Sequence, residues 1–493
     1  MLQIEDVVLI KINRSYREGM TPKELYEATS RSWVASLEKT DTRDIQYYCA
    51  VYTNKIIEVY DFEGYEEEIP KRTPSRYILH GKVTDHETRN KLLGLDVSSI
   101  HKGSGNPIKY TNLDVLLSID NENEEGEVIV DNVHLENLPS HTHAYLTSRG
   151  FLYSKENIAN LYLSLRSKPF VIISGISGTG KTKIVQLFAE SVGATEEDGQ
   201  FKLISVRPDW SDSSDLLGYK NLQDEFVEGQ LTEMVKRAHD NPQLPHFVVL
   251  DEMNLARVEY YLSEFLSIME SRRVGEDGEV VSSTLVTTND REFSLPNNLY
   301  IIGTVNMDET THPFSKKVLD RANTIEFNDI RLTNFDMFEQ ETEEVAAVRV
   351  GNEQFESKYL YLKQAYPQNK ELVQKVSTQL ELINQQLQTI YAQVGYRVRD
   401  EICFYMLYND EMNLLSENEA FDFCVMQKIL PRISGADSTV EDLLKNLFEQ
   451  FAGEAYEKDK AVSEDAPYPR SAKKVAEMLK RLHKDSFTSF WIS

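Results

Sequence analysis

The stretch GISGTGKT at residues 175–182 follows the apolar run FVIIS and precedes helical spacing at Ile184, Leu187 and Phe188. A strand that ends in a glycine-rich turn and feeds straight into a helix leaves few folds open. The glycines let the backbone curl until several N–H groups point at one anion, and the helix start adds its positive dipole end. The pattern G-x-x-x-x-G-K-[ST] is complete in Gly175, Gly180, Lys181 and Thr182. The whole turn, Gly175, Ile176, Ser177, Gly178, Thr179, Gly180, Lys181, Thr182 and Lys183, is therefore expected to cradle the phosphates of a nucleotide. Lys181 would neutralise the β- and γ-phosphates, and the Thr182 hydroxyl would hold Mg2+.

Five short apolar runs, at 170–174, 203–206, 247–250, 299–304 and 324–327, are mostly separated by helical segments. Continuous apolar runs of this length suit strands buried on both faces of a parallel sheet. Ligands of such sheets bind at the C-terminal ends of the strands. HFVVLDEMN delivers Asp251 and Glu252 there, the first suited to Mg2+ and the second to polarising an attacking water. LYIIGTVNMD ends in Asn306, which can orient that water. FSKKVLDRA places Arg321 at the end of a short helix, where an arginine can complete a neighbouring subunit's site. Sequence physics does not rank Lys316, Lys317 and Arg321 for that role.

The chain, 493 residues long, has room for two to four domains. Its net charge of −27 argues against coating nucleic acid by general basicity. Residues 1–120, however, carry 16 Lys/Arg against 19 Asp/Glu, so a local DNA-binding face stays open there. No apolar stretch approaches the ~20 residues of a membrane span. The start, MLQIEDVVLIKINRSY, has no long apolar core of a signal peptide. Cys49, Cys403 and Cys424 make no metal-like spacing and fit core positions in a reduced cytoplasm.

Residues 1–118 read as a mixed α+β domain. VVLIKIN and YYCAVYTNKIIEVYDF are strands, the second a hairpin turning near Thr53, Asn54 and Lys55. In TPKELYEATSRSW, Thr21 is an N-cap, Pro22 takes the first helical position and Glu24 completes a capping box. HKGSGNPIKY reads as a loop. Residues 119–150 read as an acidic linker with one short strand at 128–130. Residues 151–330 form the nucleotide domain and open with a helix at 155–167, striped by Ile158, Leu161, Tyr162 and Leu165. Residues 331–493 turn helical. In 370–391 the spacing of Val373, Val376, Leu380, Ile383, Leu387 and Ile390 covers under three heptads, which favours ordinary helix packing over a coiled coil.

KPFVIISGISGTGKT, SVRPDWSDSSDLLGY, LDEMNLARVEYYLSEFLSIMES and IIGTVNMDETTHPFSKKVLDRA together resemble the AAA+ ATPase superfamily, and within it the McrB-type motor subunits of modification-dependent restriction systems. GYRVRDEICFYM, QKILPRISG and the ending FTSFWI are similar to the same branch. The resemblance covers about residues 150–493 and implies an α/β AAA+ core with a parallel sheet, an α-helical lid and a homo-oligomeric ring, commonly a hexamer. It implies that Arg321 is the arginine finger, and that Arg397 in GYR is the lid arginine that touches the γ-phosphate. Two motifs depart from the branch. VNMDETT brings an Asp two residues after Asn306 instead of three, and Leu255 in DEMNLA replaces an Arg, with Arg257 two residues on. GTP is the substrate that the resemblance implies, and these departures keep ATP open.

Residues 1–118 carry no nuclease pattern, so the resemblance implies a separate McrC-like nuclease partner and an N-terminal reader of double-stranded, methylated DNA. Such a reader needs aromatic platforms and cations. Trp33, Tyr47, Tyr48, Tyr52, Arg76 and Lys82 are candidates, with Lys102 and Lys109 for phosphate contacts. A MoxR-like ATPase that remodels a protein, and a non-catalytic nucleotide-gated scaffold, are the alternatives.

Overall fold

Alternation along two hydrogen-bonded strands sets up the first sheet. Val7, Leu9, Cys49 and Val51 pack into one apolar cluster, while Val8, Ile10, Tyr48 and Ala50 pack into another on the opposite face. These residues belong to β1 (Glu5–Lys11) and β2 (Arg43–Tyr52), which pair in parallel. The computed structural model describes residues 5–12, 16–17, 20–31, 33, 43–52, 55–68, 76–84, 86–95, 97, 100, 107–113, 115–117, 138–275, 280–288, 291–307, 312–328 and 344–491. The chain divides into two units, Met1–Ile129 and Val130–Ser493.

In the first unit β3 (Lys55–Glu67), β4 (Tyr77–Val83) and β5 (Ile108–Thr111) complete a five-stranded sheet in the order β4-β3-β2-β1-β5. The hairpin pairs Tyr52 with Lys55; residues 53 and 54 of its turn lie outside the described residues. Helix α1 (Pro22–Ser30) starts on the expected capping box, with Glu24 accepting from the Thr21 N–H at 2.8 Å. Three expectations need correction or fall away. Tyr48 is fully buried and stacks on Tyr60 at 5.0 Å, because its β2 position faces inward, so it belongs to the core and not to a base platform. Lys109 lies in β5, not in a loop, because Ile108 faces inward and pins the segment beside β1. Lys102, the rest of that loop and the strand proposed at 128–130 lie outside the described residues.

The second unit begins inside the expected linker. Residues 138–148 form helix α2 (Leu138–Ser148), whose Leu138, Tyr145 and Leu146 join the main core. Leu138, Thr142, Tyr145 and Leu146 repeat at helical spacing and are all buried, a stripe masked by the acidic sequence before it. Helix α3 (Lys155–Ser167) leads into β6 (Phe170–Gly175) and then α4 (Lys181–Ser191). With β7 (Phe201–Ser205), β8 (His246–Asp251), β9 (Leu299–Asn306) and β10 (Asn323–Glu326) it makes an all-parallel sheet in the order β10-β6-β9-β8-β7. Val171, Ile173, Val249 and Ile302 face one side and Phe170, Ile172, Val248 and Ile301 the other, so both faces are covered. Between β8 and β9 runs α5 (Ser263–Glu270), and α6 (Lys316–Leu319) precedes β10.

The rest is helical: α7 (Lys370–Leu387), α8 (Tyr396–Met412), α9 (Glu417–Lys428), α10 (Ser438–Ala452) and α11 (Pro469–Asp485). Val373, Val376, Leu380, Ile383 and Leu387 of α7 are buried in this chain's own core, as ordinary packing requires. Cys49, Cys403 and Cys424 are free and buried. No helix among the described residues is long and apolar enough to cross a membrane. One buried ion cluster ties the helical part to the sheet: Glu401 of α8 meets Lys168, just before β6, and Lys428 of α9 at 2.5 Å. Burial pushes the Lys168 ammonium down to about 8. Burial alone would raise the Glu401 carboxyl, but the two lysines outweigh it and hold the group below its ordinary value.

Candidate active site

The turn between β6 and α4 is shaped by its glycines. Gly180 has φ of +83°, and a Cβ there would also sit 2.5 Å from the Tyr153 hydroxyl, which donates to the Gly180 carbonyl at 3.0 Å. Lys181 is buried and donates to the carbonyls of Gly175 at 3.0 Å and Ile176 at 2.7 Å. The Ile176 N–H donates to the Asn328 side-chain oxygen at 3.0 Å, from the segment after β10. Both arrangements engage groups that a phosphate would engage.

Neighbouring strands deliver the acidic residues to the same end. Asn306 lies opposite Gly175 across β9 and β6, and β8 runs alongside β9. Asp251 Oδ1 accepts from the Thr182 hydroxyl at 2.6 Å and from the Thr304 hydroxyl at 2.7 Å. The Thr304 oxygen in turn accepts from the Glu252 N–H at 3.0 Å. Asn306 Nδ2 donates to Glu252 Oε1 at 3.1 Å. Glu252 itself has φ of +52°, a left-handed conformation that costs a non-glycine residue about 1 kcal/mol or more. In this conformation its carboxylate meets Asn306. The paired oxygens of Thr182 and Asp251 fit Mg2+, which keeps several waters and takes few protein ligands beside phosphate.

The two expected arginines lie elsewhere. Arg321 precedes β10 and Arg397 lines a cavity with Lys168 and Pro169, just before β6. That is the N-terminal end of the parallel strands; β6 has six residues, so the P-loop is roughly 20 Å away. Arg397 therefore does not touch a γ-phosphate held by its own chain, because the start of α8 packs at the far end of the sheet. Arg321 is buried, donating to the carbonyls of Leu266 and Lys317 and pairing with Glu270. Arg397 pairs with the same Glu270 at 2.7 Å.

The cations near the P-loop come from α11 instead. Lys474 pairs with Glu326 at 2.6 Å. Arg470, Lys473 and Lys474 line a cleft of about 560 Å³ together with Glu326 and Asn328. Sequence reasoning missed these residues, as it missed Tyr153, Thr304 and Asn328. Pro469 at the helix start and the basic first turn PRSAKK were visible signals for α11. Thr304, two residues before Asn306, shares its strand face. Nothing local marked Tyr153 or Asn328.

Residues 170–322 match the family described as AAA domain (dynein-related subfamily). These residues are an AAA+ domain. Residues 344–487 match a second family, described as a domain of unknown function (DUF8727). The chain is 24% identical over 151 residues to the type IV methyl-directed restriction enzyme EcoKMcrB subunit of Escherichia coli (strain K12), covering 30% of this chain and 33% of that protein. It is 27% identical over 169 residues to the chaperone MoxR1 of Mycobacterium tuberculosis, covering 33% of this chain and 37% of that one. The chain thus spans about a third of the length of these curated relatives. Among solved structures, a protein of Cytophaga hutchinsonii assigned as an ATPase is 16% identical with a TM-score of 0.38, covering 60% of this chain and 86% of that one. Yeast Hsp104 bound to casein is 16% identical with a TM-score of 0.30, covering 44% of this chain and 40% of that one. Both scores are low, so the AAA+ fold stands on the sheet order and the family match.

Proposed function

We propose that this AAA+ chain is a Mg2+-dependent nucleoside triphosphate hydrolase that assembles into a homo-oligomeric ring, with a hexamer as the expected size. The observation that carries the reading is the paired set at the P-loop: Thr182 on Asp251, and Asn306 on Glu252. The P-loop N–H groups and Lys181 hold the β- and γ-phosphates, and the lid cations Arg470, Lys473 and Lys474 flank the same end. Asn306 and Glu252 hold a water in line with the γ-phosphorus. The new O–P bond forms as the bond to the β-bridging oxygen breaks; Glu252 accepts the water proton and the nucleoside diphosphate leaves. Thr182 and Asp251 would hold Mg2+, which when bound would supply charge neutralisation to the phosphates. Arg321 and Arg397, remote from their own P-loop, are available only to a neighbour's phosphates.

We further propose a McrB-like role. Residues 1–118 bind duplex DNA, methylated in the favoured case, and hydrolysis drives a McrC-like nuclease. GTP is favoured by the motif resemblance, and ATP is the rival substrate. Support comes from the near-balanced charge of residues 1–120 and the partly exposed Trp33, Tyr47 and Tyr52. Lys82 is less available, since it pairs with Glu63 at 3.3 Å. The similarity to MoxR1 favours a second reading, remodelling of a protein partner.

The test is hydrolysis of GTP and ATP in parallel, with methylated duplex, unmethylated duplex or no DNA, and Lys181→Ala as control. GTP turnover stimulated by methylated duplex and lost in the variant is the expected result. ATP turnover indifferent to every DNA would move the reading to protein remodelling. Nucleotide binding without turnover would leave a nucleotide-gated scaffold.

A further inference from the structure

At the N-terminal end of the sheet, opposite the P-loop, a second cleft of about 540 Å³ opens between the AAA+ core and the start of α8. Among the described residues it is lined by four cations, Lys317, Arg321, Arg397 and Arg432, and two carboxylates, Glu270 and Asp320. That excess of positive charge stands out on a chain whose net charge is −27. Tyr396 at its mouth is 80% exposed.

The pairing inside the cleft is unequal. Arg432 has Asp320. Arg321 and Arg397 converge on the single oxygen Oε1 of Glu270. At ion-pair distance one carboxylate therefore serves two guanidiniums, while Asp320 and Glu401 act on Arg321 only as weaker attractions. A triphosphate offers several charged oxygens in the fork geometry that guanidiniums match. It can therefore outcompete Glu270 for both. The chain's own phosphates are roughly 20 Å away at the other end of β6. The matching anion is the nucleotide on a second copy, whose P-loop face adds the acidic Asp251 and Glu252.

We propose that Glu270 is a latch on two arginines that act across a subunit interface: it holds Arg321 and Arg397 in this cleft and yields them to the triphosphate bound at the P-loop of a second copy. The proposal rests on the ring reading above and adds Glu270 as a positioning residue. It also places Arg397, from the lid, beside Arg321 in the neighbour's site. Arg397 is half-exposed at the mouth and Arg321 is retracted behind it, so Arg397 meets the phosphates first.

Mixed subunits test the arginine. An Arg397→Ala chain is expected to lose at least about tenfold in turnover. A Glu252→Gln chain binds nucleotide, does not hydrolyse it and still offers both arginines. Mixing the two should restore turnover above the sum of the separate chains, because the only working Glu252 then sits in chains that lack Arg397. No gain on mixing overturns the action across the interface. The latch is read without hydrolysis, by sedimentation with a non-hydrolysable triphosphate. Glu270→Gln should lower the chain concentration at which assembly is half complete, and Arg397→Ala should raise it. Glu270→Asp, which retracts the carboxylate by one methylene, should shift the midpoint as Glu270→Gln does but less, and it decides the matter if the Gln variant does not fold. An unchanged or raised midpoint in the Glu270 variants overturns the latch. A wild-type chain that assembles on nucleotide without turnover would sink the hydrolysis reading and leave the latch standing.

Discussion

One hydroxyl, that of Thr304, ties down both acidic residues of the site: it donates to the Asp251 carboxylate and accepts from the Glu252 backbone N–H. Thr304→Val keeps the shape and removes both bonds. Loss of such an outer partner typically weakens metal affinity, here Mg2+ affinity, by roughly 10- to 100-fold. A Mg2+ titration of turnover checks this, with Thr304→Ser expected to behave as wild type. Glu252→Gln should bind nucleotide and lose roughly 100-fold or more in turnover, since it removes the group that takes the water proton. Arg470 lines the same cleft as Asn328, and in the proposed reading it meets the bound triphosphate. Arg470→Ala should weaken nucleotide binding about tenfold, the loss of one charge-assisted contact, measured by titration with a fluorescent nucleotide. Residues with a motif around them, such as Lys181, Asp251 and Asn306, were legible in the sequence. Tyr153 and Asn328 were not, because they reach the P-loop from distant segments that carry no pattern of their own.

At the level of elements, apolar runs located the five strands of the parallel sheet to within a residue or two, since strands covered on both faces have little choice of composition. The helix at 138–148 was hidden by an acidic neighbourhood that reads as a linker. The start of β8 carries a pH dependence. His246 is buried, and burial brings its imidazole down to about 4 from the ordinary 6.5. Folded His246 is therefore neutral where the unfolded chain binds a proton. Its contribution is complete above 6.5 and is lost as pH falls through the window towards 4. The full loss is up to about 3 kcal/mol. Chemical denaturation at pH 7 and pH 4.5 should show wild type losing more stability than His246→Asn, whose amide can keep the bond that His246 Nδ1 makes to Leu244 O at 3.0 Å.

For the whole molecule, the proposed ring would make activity collective, since Arg321 and Arg397 lie apart from their own P-loop. Turnover per chain is expected to rise with chain concentration and to plateau once rings form, which dilution assays read directly. A flat profile would mean that one chain suffices and would remove the role of those arginines in a neighbour's site. The sequence alone determined the glycine-rich turn between strand and helix, the place of Asp251 at a strand end, the strand-and-helix alternation and the helical C-terminal part, because each is written in residues close together in the chain. Only the tertiary structure decided which lid cations stand near the P-loop and which stand at the far end of the sheet. Arg397 and Arg470 both lie on helices of the C-terminal helical part. The end of the sheet that each meets is fixed by how α8 and α11 pack, through Glu401 on Lys168 at one end and Lys474 on Glu326 at the other. Those contacts join residues 233 and 148 positions apart, and no local pattern encodes them.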